Sequence, residues 1–266
     1  MSILHLRARL SLKSLLKNSL TAAALSCATL VGGLTSLVTM PTPAVAQEAK
    51  PEVKLHSATK PEPREGNWVK RHEGFNERVK KGNADLLFIG DSITQGWEGA
   101  GKEVWKQNYD KRNAVNLGIG GDRTQHVIWR LDNGNIEGIN PKLAVLMIGT
   151  NNSGTNTPQE IADGIKAIVD RLRTKLPQTK VLILAVFPRG ANGDDARRKV
   201  NIATNEIAAK FADGKNVFFL DIGPKFLAAD GTLSKEIMPD LLHLSPKGYQ
   251  IWADSIEAEV KKLMGE

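Results

Sequence analysis

Residues 85–94 read Asp-Leu-Leu-Phe-Ile-Gly-Asp-Ser-Ile-Thr. Four apolar residues run from Leu86 to Ile89, stop at Gly90, and give way to a small polar Asp-Ser pair. A run this short, apolar throughout and closed by a turn residue, suits a strand buried on both faces. The same pattern returns at residues 114–117, 143–148, 181–186 and 217–220, bounded by Gly, Asn or Asp. Helical patterns lie between. After Thr157, the residues Ile161, Ile165, Ile168, Val169, Leu172 and Leu176 fall on one stripe. Thr157 with Glu160 makes a capping box there, and Pro158 takes the first helical position. The last segment opens at Ser245-Pro246 and turns Tyr249, Trp252, Ile256, Val260 and Leu263 to one side. Strands alternating with helices require parallel strands joined by right-handed crossovers. The predicted fold class is therefore α/β, a three-layer sandwich around a five-stranded parallel sheet. Sites in such sheets lie beyond the carboxyl ends of the strands.

The loops at those ends carry the polar chemistry. They read Gly90-Asp91-Ser92-Ile93-Thr94, then Gly118-Ile119-Gly120-Gly121-Asp122, then Gly149-Thr150-Asn151-Asn152, and finally Asp240-Leu241-Leu242-His243 before the last helix. A serine hydroxyl is a weak nucleophile until a base takes its proton. His5 and His56 fall before the domain, and His72 and His126 fall in helical patterns. Only His243 stands at a strand exit with a carboxylate three residues earlier, where Asp240 can fix its tautomer. Gly121 lacks a Cβ, so its N–H can approach a bound carbonyl closely. Asn151 offers a side-chain amide, and the Ser92 N–H opens a helix. Taken singly, each cluster also reads as a helix cap, a tight turn or a structural pair. Their order at successive strand ends is what points to acyl transfer. No Gly-x-Ser-x-Gly elbow surrounds Ser92, and the Gly118–Gly121 spacing does not match a dinucleotide fingerprint.

Composition bounds the rest. Hydrophobic residues make up 41% and charged residues 24% of the 266, as in an ordinary globular protein. The formal charge of +7 is concentrated at the start, where Arg7, Arg9, Lys13 and Lys17 stand without any acid in residues 1–46. Without that stretch 32 basic residues face 29 acidic ones, which gives no reason to expect a nucleic-acid partner. Residues 1–46 read as an export signal: basic first, apolar from about Leu20 to Val38, then Ala44-Val45-Ala46 before Gln47. Cleavage there predicts a periplasmic or secreted protein with no remaining membrane span. Retention of the apolar stretch would make it an anchor. Cys27, the single cysteine, lies inside this stretch, so no cysteine nucleophile or cysteine metal site is expected downstream. Residues 47–66 are rich in Pro, Glu and Lys and read as a flexible linker, with the domain at 67–266.

The four clusters resemble the blocks of the SGNH (GDSL) hydrolases: Gly-Asp-Ser, a Gly, Gly-x-Asn and a terminal Asp-x-x-His. Within that superfamily the chain is most similar to the catalytic subunits of platelet-activating-factor acetylhydrolase. The segments that carry this are residues 116–124, 127–131, 148–152, 188–190 and 240–244. The resemblance implies a flavodoxin-like fold, no metal or other cofactor, and a Ser92, Asp240, His243 triad. It implies an oxyanion hole of Ser92, Gly121 and Asn151, and an acyl pocket walled by Ile93, Thr150 and Leu242. It implies a short-chain, acetyl-preferring serine esterase acting on a small-molecule, glycan or lipid ester, and it admits a homodimer. The export signal departs from those intracellular subunits and brings acetylated carbohydrate forward beside a lipid ester as substrate. A ligand-binding protein that has kept the fold without catalysis is the rival class; the intact Ser, Asp, His, Gly and Asn set argues against it.

Overall fold

Five apolar runs become five parallel strands. The computed structural model describes residues 55–266. Its strands are β1 (Leu86–Gly90), β2 (Ala114–Gly118), β3 (Leu143–Met147), β4 (Lys180–Leu184) and β5 (Val217–Leu220). They lie in the order β2-β1-β3-β4-β5, each pair parallel. The chain starts near the middle of the sheet, so β2 and β3 leave β1 on opposite sides. That places a switch point at the carboxyl end of β1, where Ser92 follows.

Side chains alternate across the sheet, and both faces are buried. Leu87 and Ile89 of β1 with Ala144 and Leu146 of β3 join one core cluster. Leu86 and Phe88 with Leu143, Val145 and Met147 join the other. The helices are α1 (Asn67–Lys80), α2 (Ser92–Gln95), α3 (Lys102–Asn108), α4 (Thr124–Asp132), α5 (Pro158–Lys175), α6 (Ala196–Ala208) and α7 (Pro246–Met264). Those packed on the first face, α1, α4, α5 and α6, bring mainly aliphatic residues. On the second face, α2, α3 and α7 complete a cluster in which Phe88, Trp97, Trp105, Tyr109, Tyr249 and Trp252 meet. Thr157 and Glu160 form the reciprocal cap of α5, and Ser245 caps α7 by accepting the Gly248 N–H. Leu176 closes α5 from outside as its C-cap.

Residues 55–66 depart from the expectation of a flexible linker. Ala58 is fully buried, and its carbonyl accepts the Thr124 hydroxyl at 2.7 Å. The Glu62 N–H donates to Gln125 O, and Asn156 Nδ2 donates to Ser57 Oγ at 2.8 Å. Arg64 reaches the loop after β2. This segment is held by hydrogen bonds, with one methyl buried, so a reading of apolar content passes over it. The export-signal stretch, Cys27 and residues 47–54 lie outside the described residues. Among the described residues no helix is long and apolar enough to cross a membrane.

Candidate active site

The turn after β1 is built by close packing. A Cβ on Gly90 would collide with Thr94 Oγ1 and Met147 O, so only glycine lets the chain turn here. Asp91 is the N-cap of α2, and its Oδ1 accepts the Ile93 N–H at 3.0 Å. Ser92 thereby becomes the first residue of a helix, where its N–H has no intrahelical acceptor. Asp91 is completely buried, and its Oδ2 has no partner among the described residues. Burial pushes its carboxyl up to about 7; the Ile93 N–H opposes this, Asp122 adds to it and His243 opposes it.

The loop before α7 carries Asp240 and His243. Leu241 adopts a left-handed φ of 61°, uncommon for a branched side chain. It is held by its own N–H to Met238 O and by its carbonyl, which accepts the Gly190 N–H at 2.9 Å. The turn folds Asp240 back on His243. Asp240 Oδ1 accepts the N–H groups of His243 (2.7 Å) and Leu242 (3.1 Å). Its Oδ2 accepts from His243 Nδ1 at 2.7 Å. With the Nδ1 proton committed to Asp240, Nε2 accepts the Ser92 hydroxyl at 2.8 Å. Burial acts to raise the Asp240 carboxyl, but the bonds from the His243 ring, the His243 N–H and the Leu242 N–H together hold it below the ordinary carboxylate value. The relay lies at an open rim, the His243 and Asp240 side chains being 44% and 57% exposed.

The other described histidines stand elsewhere. His56 Nε2 meets Asp163 at 3.3 Å. His72 is buried beside Asn135 and Asn76, and burial lowers its pKa. His126 Nδ1 accepts the Arg123 N–H at the start of α4. No group of three His, Cys, Asp or Glu among the described residues is arranged to hold a metal ion.

The loop after β2 faces Ser92, since a Cβ on Gly120 would lie 3.8 Å from Ser92 Cβ. Gly121 has φ 76°, a conformation that favours glycine. Its N–H meets no protein acceptor among the described residues. Asn151 Nδ2 donates one hydrogen to Asp122 O at 2.9 Å, which fixes the amide and leaves its second N–H free. Asp122 is wholly buried. Its carboxylate accepts from Trp68 Nε1 (2.7 Å), Arg64 Nη1 (3.1 Å) and the equally buried Arg130 Nε (2.9 Å). Of the three residues expected to wall an acyl group, Ile93 and Thr150 are 1% and 2% exposed, and Leu242 is half-buried. Thr150 Oγ1 accepts from Arg189 Nη1 at 3.1 Å and from Asn201 Nδ2 at 3.3 Å.

The model of the GDSL-like lipase/acylhydrolase family matches residues 88–251, from the middle of β1 into α7. The chain belongs to this family. It is a carboxylic ester hydrolase, and its parallel sheet is the SGNH hydrolase fold. It is similar to the Bos taurus platelet-activating factor acetylhydrolase IB subunit alpha1, with 40% identity over 70% of this chain and 78% of that one. The Homo sapiens alpha1 subunit is 37% identical over 76% of this chain and 86% of its own length. A GDSL-like lipase from Bacteroides thetaiotaomicron has the same fold, with a TM-score of 0.58 and 22% identity over 73% of this chain and 97% of that one.

Several features of the candidate site leave no trace in the sequence. The unpartnered Asp91 oxygen, the buried Asp122–Arg130 pair and the left-handed Leu241 leave no periodic signal. Arg189 and Asn201 behind Thr150, and Gln95 Oε1 accepting the Gly120 N–H at 2.7 Å, depend on contacts between elements far apart in the chain.

Proposed function

We propose that the chain hydrolyses acetyl and other very short acyl esters with Ser92 as nucleophile, His243 as base and Asp240 as its orienting carboxylate. The observation that carries this is the unbroken relay from Ser92 Oγ to His243 Nε2 at 2.8 Å and from His243 Nδ1 to Asp240 at 2.7 Å. His243 takes the hydroxyl proton as Ser92 Oγ attacks the ester carbonyl, and Asp240 stabilises the imidazolium that forms. Charge then builds on the carbonyl oxygen, which on this reading accepts from the N–H groups of Ser92 and Gly121 and from the free Asn151 amide hydrogen. One such donor is worth about 3–4 kcal/mol in the transition state. The imidazolium returns its proton to the leaving alkoxide, and a water repeats the sequence on the acyl-serine.

The acyl side is closed by buried Ile93 and Thr150, whereas the rim that carries His243 and Asp240 is open. A longer acyl chain must displace branched side chains, an overpacking cost of about 1–3 kcal/mol. The names of the mammalian relatives, platelet-activating factor acetylhydrolase subunits, support acetyl as the group removed. The export pattern of residues 1–46 supports a periplasmic or secreted enzyme and an acetylated glycan as an alternative leaving side to a phospholipid.

A p-nitrophenyl ester series tests both halves of the proposal. Ser92→Ala and His243→Ala are expected to lose about 10⁴–10⁶-fold in turnover on the acetate. Wild type is expected to fall steeply in kcat/KM from acetate to hexanoate. Near wild-type turnover in either folded variant contradicts the triad. Equal efficiency on acetate and octanoate contradicts the acyl preference.

A further inference from the structure

We propose that residues 56–64 are a strap belonging to the catalytic unit, with Arg64 as a positioning residue for the Gly121 N–H. The inference rests on the oxyanion-hole reading given above.

Arg64 Nη1 donates to Gly120 O at 2.8 Å. That carbonyl and the Gly121 N–H are the two ends of one peptide group. The group is planar and trans, so fixing the oxygen aims the N–H in the opposite direction. A guanidinium on the carbonyl also polarises the peptide and makes its N–H a stronger donor. The same Nη1 reaches Asp122 Oδ1 at 3.1 Å, which anchors the next residue as well. Both Nη atoms lie 3.3 Å from where a Gly121 Cβ would stand, so the cation sits directly against this peptide.

The rest of the strap holds Arg64 in place. Thr59 Oγ1 and the N–H groups of Thr59 and Lys60 close a turn on His56 O. Ala58 O is fastened by Thr124 Oγ1, and Ser57 Oγ by Asn156 Nδ2. His56 meets Asp163 on α5. Thr124 also donates its N–H to Asn152 Oδ1, so the strap, the Gly121 loop and the Asn151 loop share one buried network. Gly121 is otherwise a soft joint at positive φ, and an oxyanion donor displaced by about 1 Å loses on the order of 10²-fold in rate.

The test compares Arg64→Ala, Arg64→Lys and Asn151→Ala in the full chain, each with p-nitrophenyl acetate kinetics, thermal unfolding, and inhibition by a trifluoromethyl ketone and by acetate. The ketone adds to the serine as a tetrahedral oxyanion, whereas acetate reports ground-state binding. Arg64→Ala is expected to lose about 10- to 100-fold in kcat with KM within about twofold, and to bind the ketone more weakly by a similar factor. Acetate inhibition and the shape of the pH–rate profile should not change, because the triad is untouched. Arg64→Lys should recover much of the loss by restoring a cation on Gly120 O. Wild-type kcat in Arg64→Ala beside a large loss in Asn151→Ala overturns the strap and leaves the hole standing. Wild-type kcat in Asn151→Ala overturns the hole, and the strap with it. A loss in Arg64→Ala confined to KM or to unfolding temperature, with ketone affinity unchanged, also overturns the strap.

Discussion

Asp91 is the residue where folding and chemistry compete most directly. It caps the helix that Ser92 begins, yet it is buried completely with one oxygen unpartnered. The cap was legible, since Gly-Asp-Ser after a strand is an N-terminal signature. Its burial was not, because the groups around it come from other loops. The consequence is a pH dependence of known sign. A carboxyl raised to about 7 in the folded chain, against about 4 unfolded, binds more protons in the native state. Its stabilising contribution is full below pH ~4 and is lost as pH rises toward 7. Asp91→Asn keeps an oxygen for the Ile93 N–H and cannot ionise. The difference in unfolding temperature, variant minus wild type, should therefore climb between pH 5 and 7. A flat difference across that range contradicts a raised Asp91.

At the scale of elements, the last helix braces the turn that carries Ser92. Tyr249 of α7 donates its hydroxyl to Ile93 O on α2 at 2.6 Å, deep in the aromatic cluster. Tyr249→Phe leaves that carbonyl without its donor, a cost of about 1–3 kcal/mol. For a domain of this size the unfolding temperature should drop by about 2–12 °C. An unchanged value in thermal unfolding means that the contact does not couple the two elements. The long helices and the strands were legible because period, caps and length agree: Thr157-Pro158 and Ser245-Pro246 mark their helix starts within one residue. Of α2 only the start at Asp91-Ser92 was legible, and α3 was not, since no stripe develops over 4 and 7 residues. They form because Ile93 of α2 and Val104 of α3 pack into the core cluster shared with the sheet and α7.

For the whole molecule, the order β2-β1-β3-β4-β5 puts a switch point at the end of β1, and the loops there are tied together by the Ser92–His243 and Asn151–Asp122 hydrogen bonds. Ser92 and His243 are 151 positions apart. Ser92 follows β1 as the strand rule expects, whereas His243 lies well beyond the end of β5, in the loop that opens α7, and not at the strand exit the sequence suggested. The domain boundary was harder to see. A strap of polar residues docks through backbone carbonyls and side-chain donors, and composition alone reads such a stretch as a solvated chain. The central claim is that these distant loops make Ser92 a nucleophile activated by His243. Labelling the intact protein with a fluorophosphonate and locating the adduct by peptide mass spectrometry tests it most directly. The account predicts one adduct, on Ser92, forming at least about a hundredfold more slowly in His243→Ala. An adduct on another residue, or equal labelling of Ser92 without the histidine, would contradict it.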